Sequence, residues 1–331
     1  MADPENPQVE ECKAPVQFGD LRGKRRLAAE ALALAYIAII AEVAIASGAF
    51  YILFPELAAL SHDIFTRPRG SWASAPVLLV VTPVLTAVLG TLITRALPYD
   101  YVSVMLTVGG ALVIVLALRS PIAPAISAGL LPLALGVRSL LYPMGIVFGT
   151  ILLAVLSSVW KRMSDEPLQN TIVASEDEDT APAAESYWRL LPLLVLVLAA
   201  VFVVKLTKMR FVLFPPLVVI GFEMFLHTKR CPWATRYLAL PVVCAMTAVG
   251  GLLCRRYLGV GPAGSISSMA WGILILRIFD LHVPPALAVA LLPQVIDSPT
   301  ALYPVAVGIG TSLLSGSFVF YSRVLSPHFE G

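Results

Sequence analysis

The sequence predicts an all-α polytopic membrane protein, built from two parallel repeats of about six hydrophobic segments each, including short Pro-interrupted half-helices. Three observations carry this. Of 331 residues, 58% are hydrophobic and only 13% charged, with a mean hydropathy of +0.85. A soluble domain carries about a quarter charged residues. Second, apolar runs long enough to cross a bilayer alternate with shorter runs bracketed by prolines. Third, the pattern of the first half returns 160 or 161 residues later.

Residues 1–26 form a polar N-terminal tail, with no short apolar core and no Ala-x-Ala cleavage site. The tail ends in Arg22, Lys24, Arg25 and Arg26, which by the positive-inside rule predicts a cytoplasmic N-terminus. Repeat 1 covers 27–160. Its first span is 27–48, followed by 50–66 with Phe54-Pro55, then spans 75–96 and 101–118. A second Pro-bracketed run, 121–137, precedes the span 140–160. Over 161–187 the composition turns acidic and Ser/Pro-rich, with Glu176 to Asp179 all carboxylates, which predicts a flexible solvated linker. Repeat 2 then covers 188–323, and 324–331 is a C-terminal tail.

The repeat rests on rare residues rather than on shared apolar composition. Leu213-Phe214-Pro215 matches Leu53-Phe54-Pro55, and Trp233 matches Trp72. Pro285, Leu292, Pro293, Tyr303 and Pro304 match Pro124, Leu131, Pro132, Tyr142 and Pro143. A common register for Trp, Tyr and several prolines predicts a duplication. If the short segments cross fully, 16 of the 23 Lys and Arg fall on the cytoplasmic side and seven outside. If they re-enter, the split is 12 to 11. The crossing arrangement is favoured. Either way each half crosses an even number of times, so the halves share one orientation.

The short segments point to a site. Proline suits a first helical turn and disrupts a helix interior. A helix of about ten residues is roughly 15 Å long, half the hydrocarbon thickness. One that starts midway aims the positive end of its dipole, and unpaired N–H groups, into the interior. Such an end attracts anions. The candidate substrate-binding residues are therefore Pro124, Ala125, His282, Pro284, Pro285 and Ala286. Candidate proton-coupling residues are Glu42, alone in the first span, and Asp63 and Glu223, which match at a spacing of 160. Asp280, before the Pro pair, reads as a helix cap, and His282 as a group that titrates near neutral pH.

Other chemistry finds little support. Cys12, Cys231, Cys244 and Cys254 have no paired or metal-ligand spacing, and the histidines have no metal spacing. There is no phosphate loop, zinc-protease motif or nucleophile elbow. No enzyme activity, cofactor, metal or nucleic-acid partner is expected, and any transport would draw on a gradient or on a partner chain.

His282-Val283-Pro284-Pro285 and the apolar run after it resemble the His-Pro-Pro signature of the HPP family of integral membrane proteins. Leu213-Phe214-Pro215-Pro216-Leu217, Pro232-Trp233 and Thr247 to Gly251 look like that family's earlier half-helix, loop and next span. The likeness covers most of 190–323 and, more weakly, 30–160, so the chain resembles a tandem HPP-like duplication. Val283 separates the His from the Pro pair, and the first half has no His there. Plant members of that family are implicated in nitrite transport, so the resemblance implies a permease for a small anion. A second resemblance, in its six-segment halves, is to fusaric-acid and aromatic-acid exporter components.

The reading reached from the residues is a secondary permease for a small, anionic solute, with a mid-membrane site formed by paired half-helices. It places the chain in a lipid bilayer, expected to be a bacterial inner membrane, alone or as a homo-oligomer. The alternatives are an exporter-type component or a non-transporting membrane subunit whose half-helices only pack against a partner.

Overall fold

A computed structural model describes residues 23–164, 188–228 and 231–325. Nearly all of the N-terminal tail, all but the start of the acidic linker and most of the C-terminal tail fall outside these residues. All regular structure among the described residues is helical. Helices α1 (Lys24–Ser47), α2 (Glu56–Thr66), α3 (Pro76–Ala96), α4 (Tyr101–Ala117), α5 (Pro124–Leu135) and α6 (Leu141–Ser164) precede the linker. Helices α7 (Leu190–Thr207), α8 (Pro215–Leu226), α9 (Leu240–Leu258), α10 (Pro262–Ile278), α11 (Pro285–Leu291) and α12 (Tyr303–Phe320) follow it.

Prolines set many of the starts, because a missing N–H costs nothing in a first turn. A proline occupies the first or second position of α3, α5, α8, α9, α10, α11 and α12. Left-handed residues end others: Gly48 after α1 (φ 68°), Gly136 after α5 (φ 75°) and Lys208 after α7 (φ 61°). Asp280 does not cap α11. It takes φ 47° in the turn that leaves α10, and its carbonyl accepts a hydrogen bond from Arg236.

The twelve helices sort into an inner and an outer set. Every residue of α2 and α11 is buried, as are all but one of α5 and all but Glu223 of α8. The eight longer helices surround these four. Five apolar stretches, over 24–47, 76–96, 141–164, 190–207 and 303–323, are long enough to cross a membrane. Their outward faces carry large apolar side chains, among them Val77 (70% exposed) and Met144 (64%). An apolar surface of this extent calls for lipid around it.

The short helices begin midway along the bundle. Beside α6, Gly145 faces Ile52, Gly149 faces Leu57, and the Trp160 indole N–H donates to the Phe65 carbonyl at 2.9 Å. The segment from Ile52 to Phe65 thus follows α6 over most of its length, and only its second part is helical. Beside α3, Thr82 bonds Ser120 at 2.8 Å, and the Thr86 hydroxyl donates to the Ala125 carbonyl at 2.6 Å. At the far end Arg95 Nε donates to the Arg138 carbonyl, also at 2.6 Å. The segments that contain α2 and α5 therefore each run along most of a longer helix, and only their later part is α-helical.

Local geometry recurs across the linker. Tyr142 Oη donates to the Ala128 carbonyl at 2.8 Å, and Tyr303 Oη to the Val289 carbonyl at 2.7 Å. Gly90 lies against the Gly129 carbonyl, and Gly251 against the Ala290 carbonyl, so tightly that neither has room for a Cβ. Arg119 and Asp280 share φ 47°. Each of these pairs is 161 residues apart.

Candidate central site

The interior midway along the bundle is mostly apolar, with buried hydroxyls such as Thr86, Ser127 and Thr247 and one carboxyl. Glu56 is the first residue of α2, placed there by Pro55 directly before it. It is 1% exposed, and neither carboxyl oxygen accepts a hydrogen bond from another of the described residues. Tyr142 and Tyr303 lie near enough to interact with it electrostatically. Both hydroxyls have their protons committed to carbonyls of α5 and α11. Tyr36, on α1, similarly donates to the Gly149 carbonyl at 2.8 Å. Position 216, which matches 56, holds a proline, so this carboxyl has no twin.

The predicted substrate-binding residues Pro124, Ala125, Pro284, Pro285 and Ala286 do lie at the starts of α5 and α11, and all are buried. The backbone there corrects one expectation. Ala125 N–H bonds the Ile122 carbonyl, Ala286 N–H the Val283 carbonyl, and Leu217 N–H the Phe214 carbonyl. Tight i to i+3 turns thus occupy donors that the half-helix argument left unpaired, and the prolines have none to offer. These ends present a dipole rather than a cradle of N–H groups. His282 lies apart from them, its side chain 28% exposed, hydrogen-bonded through Nε2 to Asp63 at 3.0 Å.

The predicted proton-coupling residues separate. Glu42 is exposed on the outer face of α1, away from the interior. Glu223 bonds His227 Nδ1 at 2.8 Å at the end of α8. Asp63 is buried, and Arg67 Nε donates to it at 2.9 Å. It belongs to a charged cluster at the end of the bundle where α1 begins. There Glu30 pairs with Arg277, accepts from Arg26 Nε at 3.3 Å and lies 3.9 Å from His62 Nε2. The Arg277–Glu30 and His282–Asp63 contacts join α10 and the segment after it to α1 and α2.

At the opposite end a vestibule of about 470 Å³ lies where α1, α5 and the 3-10 turns beside α8 and α11 converge. Its walls include Tyr51, Arg138, Arg210, Phe211 and Asp297. Arg210 sits 4.7 Å over the Tyr99 ring, and burial pushes the Tyr99 hydroxyl up to about 12. Phe211 packs edge-on against Tyr303, ring centroids 5.6 Å apart.

Sequence reasoning missed Glu56, Glu30 and His62, and it took Tyr142 and Tyr303 only as markers of the repeat. The usable signal for Glu56 was an ionisable residue inside the first turn of a proline-opened short segment. No protein-family model, curated protein or solved structure matches the chain, so no comparison identifies it as an HPP member.

Proposed function

We propose that the chain is a secondary permease for a small anionic solute, built as two parallel repeats around a central site at the starts of the four short helices. The observation that carries it is the buried Glu56 carboxyl, set where broken segments turn helical midway along an apolar bundle. Broken helices and an ionisable group at that depth are costly in lipid and mark solute or ion pathways. The recurring 161-residue geometry supports the repeat, with its axis along the bundle. The vestibule supports an entry on that axis, since its Tyr51 and Phe211, and its Leu135 and Ile296, are themselves pairs spaced 160 and 161 apart. Arg138 and Arg210 outnumber Asp297 in its wall, and the net positive charge favours an anion by simple attraction.

The N-terminal end of α1, rich in Lys and Arg, would face the cytoplasm of a bacterial cell. The HPP likeness of 282–292 agrees with this reading, and adds nitrite as one solute to try. Uptake by vesicles containing the purified protein, against a panel of nitrite, nitrate, formate and acetate, tests it. Accumulation driven by a proton or ion gradient supports the permease, and none with any of the four counts against it.

A second reading, a membrane subunit without transport, is favoured by the packing between the short helices. Leu57, Ala58, Ile126, Leu217, Val218 and Leu287 fill that space at 0–1% exposure. The same vesicles decide between the two, because a subunit of this kind moves no solute alone.

A further inference from the structure

We propose that Glu56 is the proton-binding residue of the central site. The proposal rests on the permease reading for its purpose, but its geometry stands by itself. Asp63 is seven residues on from Glu56, so both project from one face of α2, about 10 Å apart. Asp63 is hydrogen-bonded to His282, whose side chain reaches solvent at that end. On the other side Tyr303, whose hydroxyl bonds the Val289 carbonyl, packs against Phe211 in the vestibule wall. The carboxyl thus lies between the charged cluster at one end of the bundle and the vestibule at the other, with Leu57, Ala58 and Leu60 packed dry beside it.

The surroundings suit a proton rather than a fixed ion pair. The elements packed on α2 are α1, α5, α6 and α11. Of these, α1 brings Tyr36 and, two turns further on, Glu30, while α6 brings Tyr142. Neither α5 nor α11 contains an ionisable residue, and α12 contributes Tyr303. No Lys, Arg or His among the described residues bonds the carboxyl. An ionised carboxylate sealed in such a place is expensive, and the protonated form avoids that cost. When a pathway wets the site, water offsets that cost and the proton can leave. One proton moves per cycle, from the carboxyl to water on one side and back from water on the other, and an accompanying monovalent anion makes the step electroneutral.

Infrared spectroscopy of the full chain in lipid films tests this without any solute. The protein should show a protonated-carboxyl stretch at neutral pH that persists in E42Q, disappears in E56Q and shifts in D2O. Absence of the band in the wild type, or its survival in E56Q, would overturn the assignment. So would a band that never shifts in D2O, which marks a proton sealed in for structure. In vesicles with an entrapped pH dye, nitrite or formate added outside should acidify the lumen with wild type and not with E56Q. Proton-linked uptake unchanged in E56Q refutes the coupling role and leaves the permease standing. If no anion enters with the wild type, the permease reading fails, and the infrared bands still decide whether Glu56 exchanges a proton.

Discussion

His282 Nε2 lies 3.0 Å from the Asp63 carboxylate, joining positions 219 residues apart and fastening the segment before α11 to the end of α2. One turn away, Arg277 pairs with Glu30 across 247 residues. The two contacts hold the halves together at one end of the bundle, and Arg67 shares the Asp63 carboxylate. Replacing His282 by Gln should cost about 1.5–3 kcal/mol, the usual range for a hydrogen bond to a charged group. Arg67 keeps the loss from being larger. In a double-mutant cycle with D63N, thermal melting in detergent should show coupling between 63 and 282. Additive losses would mean that the bond contributes nothing.

Two glycines should be intolerant and one should not. A Cβ on Gly90 would overlap the Gly129 carbonyl, and one on Gly251 the Ala290 carbonyl, so backbone would have to move. G90A and G251A should each destabilise the bundle by about 1–3 kcal/mol as over-packing does, or prevent folding. Gly109, on α4, has nothing within 4 Å of the corresponding position. G109A should be neutral or stabilise by up to about 1 kcal/mol, because Ala loses less backbone freedom than Gly in a helix. Yield of monodisperse protein and melting temperature measure both effects.

Much of the scaffold was legible because proline writes its position in the sequence. Pro55, Pro124, Pro215 and Pro285 each mark a start, and the structure opens a short helix at or directly after each one. The site was less legible. Glu42 stood out because its neighbours along the chain are apolar, but one span has two sides, and only packing decides which faces inward. Glu56 looked unremarkable, since an acid in a first turn complements the helix dipole. Its burial comes from α1, α5, α6 and α11 closing over α2, contacts between residues far apart in sequence. For the same reason the N–H groups of α5 and α11 could not be known to be bonded until their turns were seen. E42Q should therefore leave the pH dependence of uptake as in the wild type. A loss of proton linkage in E42Q comparable to that in E56Q would return the role to the outer face of α1.

Acid should loosen the contact between α4 and α7. Asp100 pairs with Lys205 and caps α4 reciprocally with Ser103. The Lys205 ammonium and the Tyr101 N–H hold its carboxyl below the ordinary value of 3.8. A carboxyl depressed in the folded state adds stability above that value, and the contribution fades as pH falls through its own titration. The site is exposed, so salt should weaken the effect. D100N keeps the cap and loses the charge, so melting curves from pH 7 to about pH 3 should be flatter than for the wild type. An unchanged slope would mean that the pair contributes nothing at equilibrium.

The tyrosine pair offers the sharpest test of whether the two halves are equivalent. Tyr142 and Tyr303 bond the Ala128 and Val289 carbonyls at 2.8 and 2.7 Å, both with fully buried rings. Phenylalanine keeps the ring and strips the donor, leaving one orphaned carbonyl in each case. That should cost about 1–3 kcal/mol per site. Equivalent halves predict equal losses in melting temperature for Y142F and Y303F, additive in the double variant because the bonds share no partner. The variants should differ only where the halves differ. Tyr303 also packs on Phe211 at the vestibule wall, whereas no such ring contact reaches Tyr142 among the described residues. If Glu56 exchanges its proton with the vestibule past Tyr303, Y303F should slow the D2O shift of its band and Y142F should not. Unequal stability losses with identical exchange would reverse the assignment, making the repeat imperfect at this bond and Tyr303 a structural group alone.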